Sequence, residues 1–279
     1  MKERPLTSSP LTCAMQPSQH STTIDTICPQ HGSYTATVRV LDCGAGFTPV
    51  TTTSRCPQCA DEERKSRELR QKAAHEEQRA QRVGDLLRQS GIPARFMGRT
   101  FEHFAATEQR QKLALSVCRA YASKWAEKRK QGASLVLTGS PGTGKTHLAC
   151  AIGSAVITQH LNPVLFCSAS TMMRSIKQTY SKDSQIDEQE VIDEFAGVSL
   201  LIVDEVGVQI GSGCEKFLMF EIFNERYQSM RPTILISNLS TGELEKYLGE
   251  RIMDRYRECG SVLAFNWSSH RGQQYGTPA

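Results

Sequence analysis

Gly139-Ser140-Pro141-Gly142-Thr143-Gly144-Lys145-Thr146 spells G-x-x-x-x-G-K-T, and no other stretch restricts the fold as much. An apolar run, Ala133-Ser134-Leu135-Val136-Leu137, precedes it and reads as a strand, and residues 147–160 read as a helix. Glycines let backbone N–H groups curl round a polyphosphate without Cβ clashes. Lys145 then reaches the β- and γ-phosphates, and the Thr146 hydroxyl can ligate Mg²⁺. A strand before the loop and a helix after it put the phosphates at a helix N-terminus, the positive end of its dipole. Average residue usage produces such a pattern by accident in roughly one chain in a hundred of this length, so the context counts as much as the letters. Gly139, Pro141, Gly142, Thr143, Gly144, Lys145 and Thr146 are read as a nucleotide-binding loop.

A second site gives the loop a chemistry. Ser199-Leu200-Leu201-Ile202-Val203-Asp204-Glu205 is apolar until it ends on two carboxylates. Asp204, at the end of a strand beside the loop, would hold the Mg²⁺ shell, and Glu205 would polarise an attacking water. Alone, the pattern describes a core strand and an acidic turn; with the loop upstream, the catalytic reading is the better one.

Helical and strand patterns alternate after Gly91-Ile92-Pro93, which marks a boundary. Residues 107–131 read as helix, and strands are expected near Leu135, Val164, Leu201, Ile234 and Val262, with helix-length segments between them. This is an α/β fold with a parallel sheet covered on both faces. Leu218, Ile222 and Phe223, with Phe217 and Phe220 nearby, read as helix core rather than a ligand cage. A length of 279 residues, 39% of them apolar, allows one ordinary domain plus something smaller. The net charge of +4 permits nucleic-acid binding without requiring it. No apolar run is long enough for a membrane span, and the N-terminus lacks a basic-then-apolar leader. A cytoplasmic protein with no membrane partner is expected.

Ten cysteines in such a compartment argue for metal or buried thiols rather than disulfides. Cys118, Cys150, Cys167, Cys214 and Cys259 are scattered singly and read as small core residues. The other five lie in the first 60 residues, where Cys28-Pro29-Gln30-His31 and Cys56-Pro57-Gln58-Cys59 form two similar knuckles. Cys28, His31, Cys56 and Cys59 suit one tetrahedral zinc site. Cys43 could replace His31 as the fourth ligand; His31 is favoured because the knuckles then match, and Cys13 reads as free. Between them, residues 34–40 alternate like a hairpin strand. A module this small has no core of its own, so metal would supply folding energy on the order of 10 kcal/mol. Residues 1–27 contain 14 Ser, Thr, Pro or Gln and read as a mobile tail. Residues 61–82 are dense in balanced charge and read as a solvated helical linker. The expected order is a tail over 1–27, a zinc module over 28–60, a linker over 61–92 and an ATPase domain over 93–279.

Several stretches resemble the AAA+ ATPases and, within them, the DnaC-like replicative helicase loaders of bacteria and phages. They are Phe101-Glu102-His103-Phe104, the loop, residues 201–209, Ile236-Ser237-Asn238, residues 248–255 and residues 265–271. The last two are the most specific; the loop is common to many P-loop proteins. The resemblance implies ATP and Mg²⁺ as ligands, with Asn238 as a sensor amide near the γ-phosphate. Arg251 and Arg255, four apart on a helix, share one face. One of them, with a lean to Arg255, resembles the arginine finger that reaches a neighbouring subunit's ATP, and Arg271 resembles the sensor arginine of its own subunit. A zinc module before the ATPase resembles loaders whose small N-terminal domain grips the helicase. Residues 169–181 and 187–196 occupy the place of an added helical element that tracks single-stranded DNA, where Arg174, Lys177 and Lys182 could meet phosphates.

The resulting expectation is an ATP-dependent loader of a replicative helicase onto single-stranded DNA, self-associating through its ATP sites. The alternative is a transposition helper ATPase that directs a transposase to DNA. A small-molecule kinase would need a lid and an acceptor pocket that the sequence does not offer. A zinc DNA-binding adaptor with a silent ATP site conflicts with the intact Lys145, Asp204 and Glu205.

Overall fold

The computed structural model describes residues 18–42, 50–181, 185–208 and 213–270, and the chain divides into two compact units between Gln78 and Arg79. In the first, β1 (Ser18–Cys28) and β2 (Gly32–Asp42) form an antiparallel hairpin, and β3 (Val50–Thr53) pairs with the other edge of β2. β1 occupies residues 18–27 of the stretch read as a tail; residues 1–17 of that stretch lie outside the described residues. Thr22, Thr23, Ile24, Thr26 and Ile27 explain the difference, because β-branched side chains suit a pleated surface even where composition looks disordered. Cys28, Ala36 and Cys56 are the buried side chains among the described residues of this unit, while Ile27 is 77% exposed.

Helix α1 (Pro57–Gln89) begins inside the second knuckle, with Pro57 at the first helical position, where its missing N–H costs nothing. Cys59 therefore rides on the first turn. Asp61 pairs with Arg64 and Lys65, and Glu63 with Arg55 and Arg67, so the solvated face is laced by exposed ion pairs. From Arg79 onward α1 belongs to the second unit, where Leu86 is buried.

The second unit continues with α2 (Gln109–Ser123), α3 (Trp125–Lys130), β4 (Ser134–Gly139), α4 (Lys145–His160), β5 (Val164–Ser168), α5 (Ala169–Gln178) and α6 (Glu188–Gly197). Then come β6 (Leu200–Asp204), α7 (Gly213–Gln228), β7 (Thr233–Ile236), α8 (Thr241–Leu248), α9 (Glu250–Cys259) and β8 (Gly260–Phe265). The helix expected over 107–131 breaks at Lys124 into α2 and α3. The five expected strands form one parallel sheet in the order β5-β6-β7-β4-β8. Successive strand residues face opposite sides, and the packing obeys this. Leu135, Leu137, Leu200, Ile202, Ile234 and Ile236 join a core with α2, α3 and α4. Val136, Leu201, Val203 and Leu235 join a second core with α5 to α9. Both faces are covered, as a parallel sheet requires.

On α7, Leu218, Ile222 and Phe223 are buried as expected and half-buried Phe220 packs against the same core, but Phe217 is 58% exposed. Cys118, Cys150 and Cys167 are buried and Cys259 partly so; Cys214, at the exposed start of α7, is not a core residue. Among the described residues, no helix is long and apolar enough to cross a membrane.

Candidate active site

β4 delivers the loop at its C-terminal end. Gly139 adopts φ +117°, and a Cβ there would stand 2.6 Å from the Phe265 carbonyl oxygen. Gly144 adopts φ +93°, and a Cβ would stand 2.5 Å from the Phe104 ring. Both positions combine a left-handed backbone with a neighbour that fills the side-chain space, so glycine is required twice over. Lys145 opens α4; it is buried, and its Nζ donates to the Gly139 and Ser140 carbonyls at 2.7 Å. Thr146 Oγ1 donates to Asp204 Oδ2 at 2.8 Å. Burial pushes the Asp204 carboxyl up, opposed by that hydroxyl, the Glu205 N–H and the charge of Lys145.

Glu205 sits just past the end of β6 at φ +59°, exposed, with its N–H bonded to Asp204 Oδ1 at 2.7 Å. A left-handed glutamate is strained backbone of the kind that accumulates at working sites. β6 is not adjacent to β4: β7 runs between them, and Asn238 follows at its tip. Pro141, Gly142, Gly144, Lys145, Thr146, Asp204, Glu205 and Asn238 all line one cleft of roughly 360 Å³.

Several residues of this site went unread in the sequence. Arg95, Phe96 and His147 also line the cleft. The turn that carries Arg95 and Phe96 is pinned by the Phe166 N–H, which donates to the Ser90 carbonyl at 2.7 Å, and by buried Ile92; Gly91-Ile92-Pro93 signalled only a boundary. Ser237 Oγ donates to the Val206 carbonyl at 2.6 Å and accepts from the Leu239 N–H, tying the β7 tip to the turn after Glu205. The segment after β8 braces the loop from behind. Trp267 Nε1 donates to the Thr143 carbonyl at 3.1 Å, and the His270 N–H donates to the Gly142 carbonyl at 3.0 Å.

Arg251 and Arg255 lie on α9, outside the lining of the chain's own cleft. Arg251 is exposed, 5.8 Å from the Phe220 ring, and Arg255 is half-buried against α7. On α5, Arg174 is exposed and Lys177 is ion-paired with Glu215. Lys182, Arg271, Cys13 and Cys43 lie outside the described residues.

In the first unit, the donor atoms of Cys28, His31, Cys56 and Cys59 all lie within 4.8 Å of one another. His31 Nδ1 stands 3.7, 3.8 and 3.2 Å from the sulfurs of Cys28, Cys56 and Cys59, and the Cys28 and Cys59 sulfurs are 3.5 Å apart. Tetrahedral zinc would ask for about 3.8 Å between sulfurs and about 3.5 Å from sulfur to nitrogen. The donor set fits. Backbone N–H groups led by that of Gln30 draw the Cys28 thiol down to about 6, while its bond to Cys28 pushes the Cys59 thiol up to about 11. One thiolate thus forms readily and discourages the next, an arrangement that a divalent cation relieves. His31 Nε2 meets Glu62 Oε1 at 3.2 Å, a carboxylate that fixes the ring with Nδ1 toward the sulfurs.

Comparison with known proteins agrees with this geometry. The family model described as IstB-like ATP binding protein matches residues 51–275. The replicative helicase loader DnaC of Buchnera aphidicola subsp. Baizongia pistaciae is 35% identical over 199 residues, covering 71% of this chain and 79% of the relative. DnaC of Escherichia coli K12 is 34% identical over 209 residues, covering 75% and 83%. Among solved structures, the crystal structure of the DnaC helicase loader superposes with a TM-score of 0.56 at 22% identity, covering 62% of this chain and 99% of that one, a likeness of fold. The chain is a member of the IstB/DnaC-like family of AAA+ ATPases.

Proposed function

We propose that this ATPase loads a replicative DNA helicase onto single-stranded DNA. The observation that carries the reading is the 34–35% identity to relatives named as replicative helicase loaders, over more than two thirds of this chain. Loop residues Gly139, Pro141, Gly142, Thr143 and Gly144 cradle the triphosphate, and Lys145 offsets the charge of its outer phosphates. Thr146 and Asp204, already paired, are the hard-oxygen donors that would hold Mg²⁺, which when bound neutralises phosphate charge. Glu205 polarises the attacking water and Asn238 orients it. Arg255 or Arg251 reaches the ATP of the next subunit, so self-association completes the site; Arg271 contacts phosphate in its own subunit. Arg174, Lys177 and Lys182 serve the DNA backbone. Cys28, His31, Cys56 and Cys59 hold zinc, and the module they close grips the helicase. The working compartment is the cytoplasm.

A second reading, a helper ATPase that directs a transposase to DNA, draws on the IstB name of the family model. Immobilised full-length protein with ATP, offered helicase and transposase separately, distinguishes the two. Helicase capture is expected, with Lys145→Ala lowering turnover by about a hundredfold or more and abolishing loading. Capture of transposase alone, or undiminished loading by Lys145→Ala, overturns the loader.

A further inference from the structure

Phe220, Asn224 and Tyr227 follow one another on α7 at spacings of four and three, so they line one face of that helix. α9 presents its two arginines to this face in register. Arg251 stands near the Phe220 ring; one turn later, Arg255 stands 4.8 Å over the Tyr227 ring and donates Nη1 to Asn224 Oδ1. Both partners of Arg255 are neutral. The acid three residues along its own helix, Glu258, instead accepts from the Tyr227 hydroxyl at 2.6 Å. Two residues on, Arg257 is treated differently, with Glu245 taking it through two bonds at 2.8 and 2.9 Å.

The cradle stands on a fixed base. Arg226, between Asn224 and Tyr227, is fully buried; it donates to Thr233 Oγ1 and to the carbonyls of Phe195, Ala196, Val198 and Pro232. These bonds lock the last turn of α7 to the end of α6 and the start of β7. A guanidinium meant to stabilise charge elsewhere needs a defined position and an unspent charge. An amide oxygen and a ring face supply position, whereas a carboxylate would also neutralise the cation.

We propose that Asn224 and Tyr227 are positioning residues that hold Arg255 in place with its charge uncompensated, preset for the triphosphate bound by a neighbouring copy of this chain. The proposal depends on the reading of Arg255 as the arginine finger. Asn224→Asp tests it with almost no change of shape, because it turns the neutral contact into an ion pair. A purely structural contact would be kept or strengthened by that change. The measurements are ATP turnover of the full chain with single-stranded DNA, affinity for a fluorescent ATP analogue, and melting temperature. Turnover of Asn224→Asp is expected to fall roughly tenfold or more toward that of Arg255→Ala, with nucleotide affinity and melting temperature held. Adding excess Lys145→Ala copies, which cannot turn over but carry an intact cradle and finger, restores it. Tyr227→Leu, which removes the ring face, is expected to behave likewise. Asn224→Asp and Tyr227→Leu at wild-type turnover, beside an inactive Arg255→Ala, overturn the cradle and leave the finger standing. Loss that Lys145→Ala copies do not restore also overturns it, by placing the defect within the variant's own site. Wild-type turnover by Arg255→Ala removes the finger and the cradle together.

Discussion

Around Cys28, His31, Cys56 and Cys59, the described part of the first unit buries three side chains, two of them candidate ligands. Around Lys145 and Asp204, the sheet is covered on both faces by two separate apolar cores. The four candidate ligands are close, yet the hairpin that carries two of them leaves Ile24 and Ile27 in solvent. The ATP cleft, by contrast, is held by bonds between elements far apart in the chain: Thr146 to Asp204, Ser237 to Val206, Trp267 to Thr143. Burial of apolar surface fixes the second geometry before any ligand arrives, whereas in the proposed reading the first would take its folding energy from the ion.

Zinc removal is the harshest way to break that comparison. In the full-length protein under a strong chelator, backbone amides of β1, β2 and β3 are expected to lose protection from hydrogen exchange, while those of β4 to β8 keep theirs. Affinity for ATP should not change. Cys56→Ser should give the same pattern without chelator. Protection that survives in β1 to β3 under both treatments would show that the hairpin holds itself, and the contrast between the units would collapse.

The opposite cut goes into the second unit at Arg226. Burial draws its guanidinium down to about 10, still charged at neutral pH. Among the described residues no carboxylate forms an ion pair with it; carbonyls at the end of α6 take up much of its donor capacity, a helix C-terminus being a favourable place for a cation. Arg226→Met keeps the apolar stem and leaves those carbonyls unsatisfied. The second unit should lose about 3–5 kcal/mol in denaturant unfolding, with zinc content unchanged. A loss under about 1 kcal/mol would mean that water or a shifted turn takes over the carbonyls, and that α7 is not clamped there.

What was legible follows the range of the interactions. The loop, the acidic strand end and the five sheet strands announce themselves through contiguous residues or a period of two. The paired knuckles do so through repeated spacing. Thr22, Thr23 and Ile24 were harder, since the Ser, Thr and Gln around them look like tail until β2 offers a partner. Arg226 gave no signal, because its acceptors lie at the end of α6 and around the start of β7. Ser237 and Trp267 stood inside stretches quoted for resemblance, but their partners, Val206 and Thr143, are 31 and 124 residues away. Phe217 and Cys214 misled for a related reason: composition marks α7 as apolar without saying which side meets the sheet.

Trp267 offers the finest test of the preset cleft. Its ring lies 4.7 Å from that of Phe265 and is buried, while the indole N–H holds the Thr143 carbonyl in the middle of the phosphate loop. Trp267→Phe keeps most of the packing and deletes the donor. The expected cost is about 1 kcal/mol, felt both as stability and as an ATP affinity lower by about fivefold, with zinc binding untouched. The two readouts separate two roles for one bond. If stability falls while ATP affinity holds, the indole only seats the segment after β8, and the loop keeps its shape without it. If affinity falls as far as stability, the bond shapes the loop itself, and the cleft owes part of its readiness to a residue more than a hundred positions away.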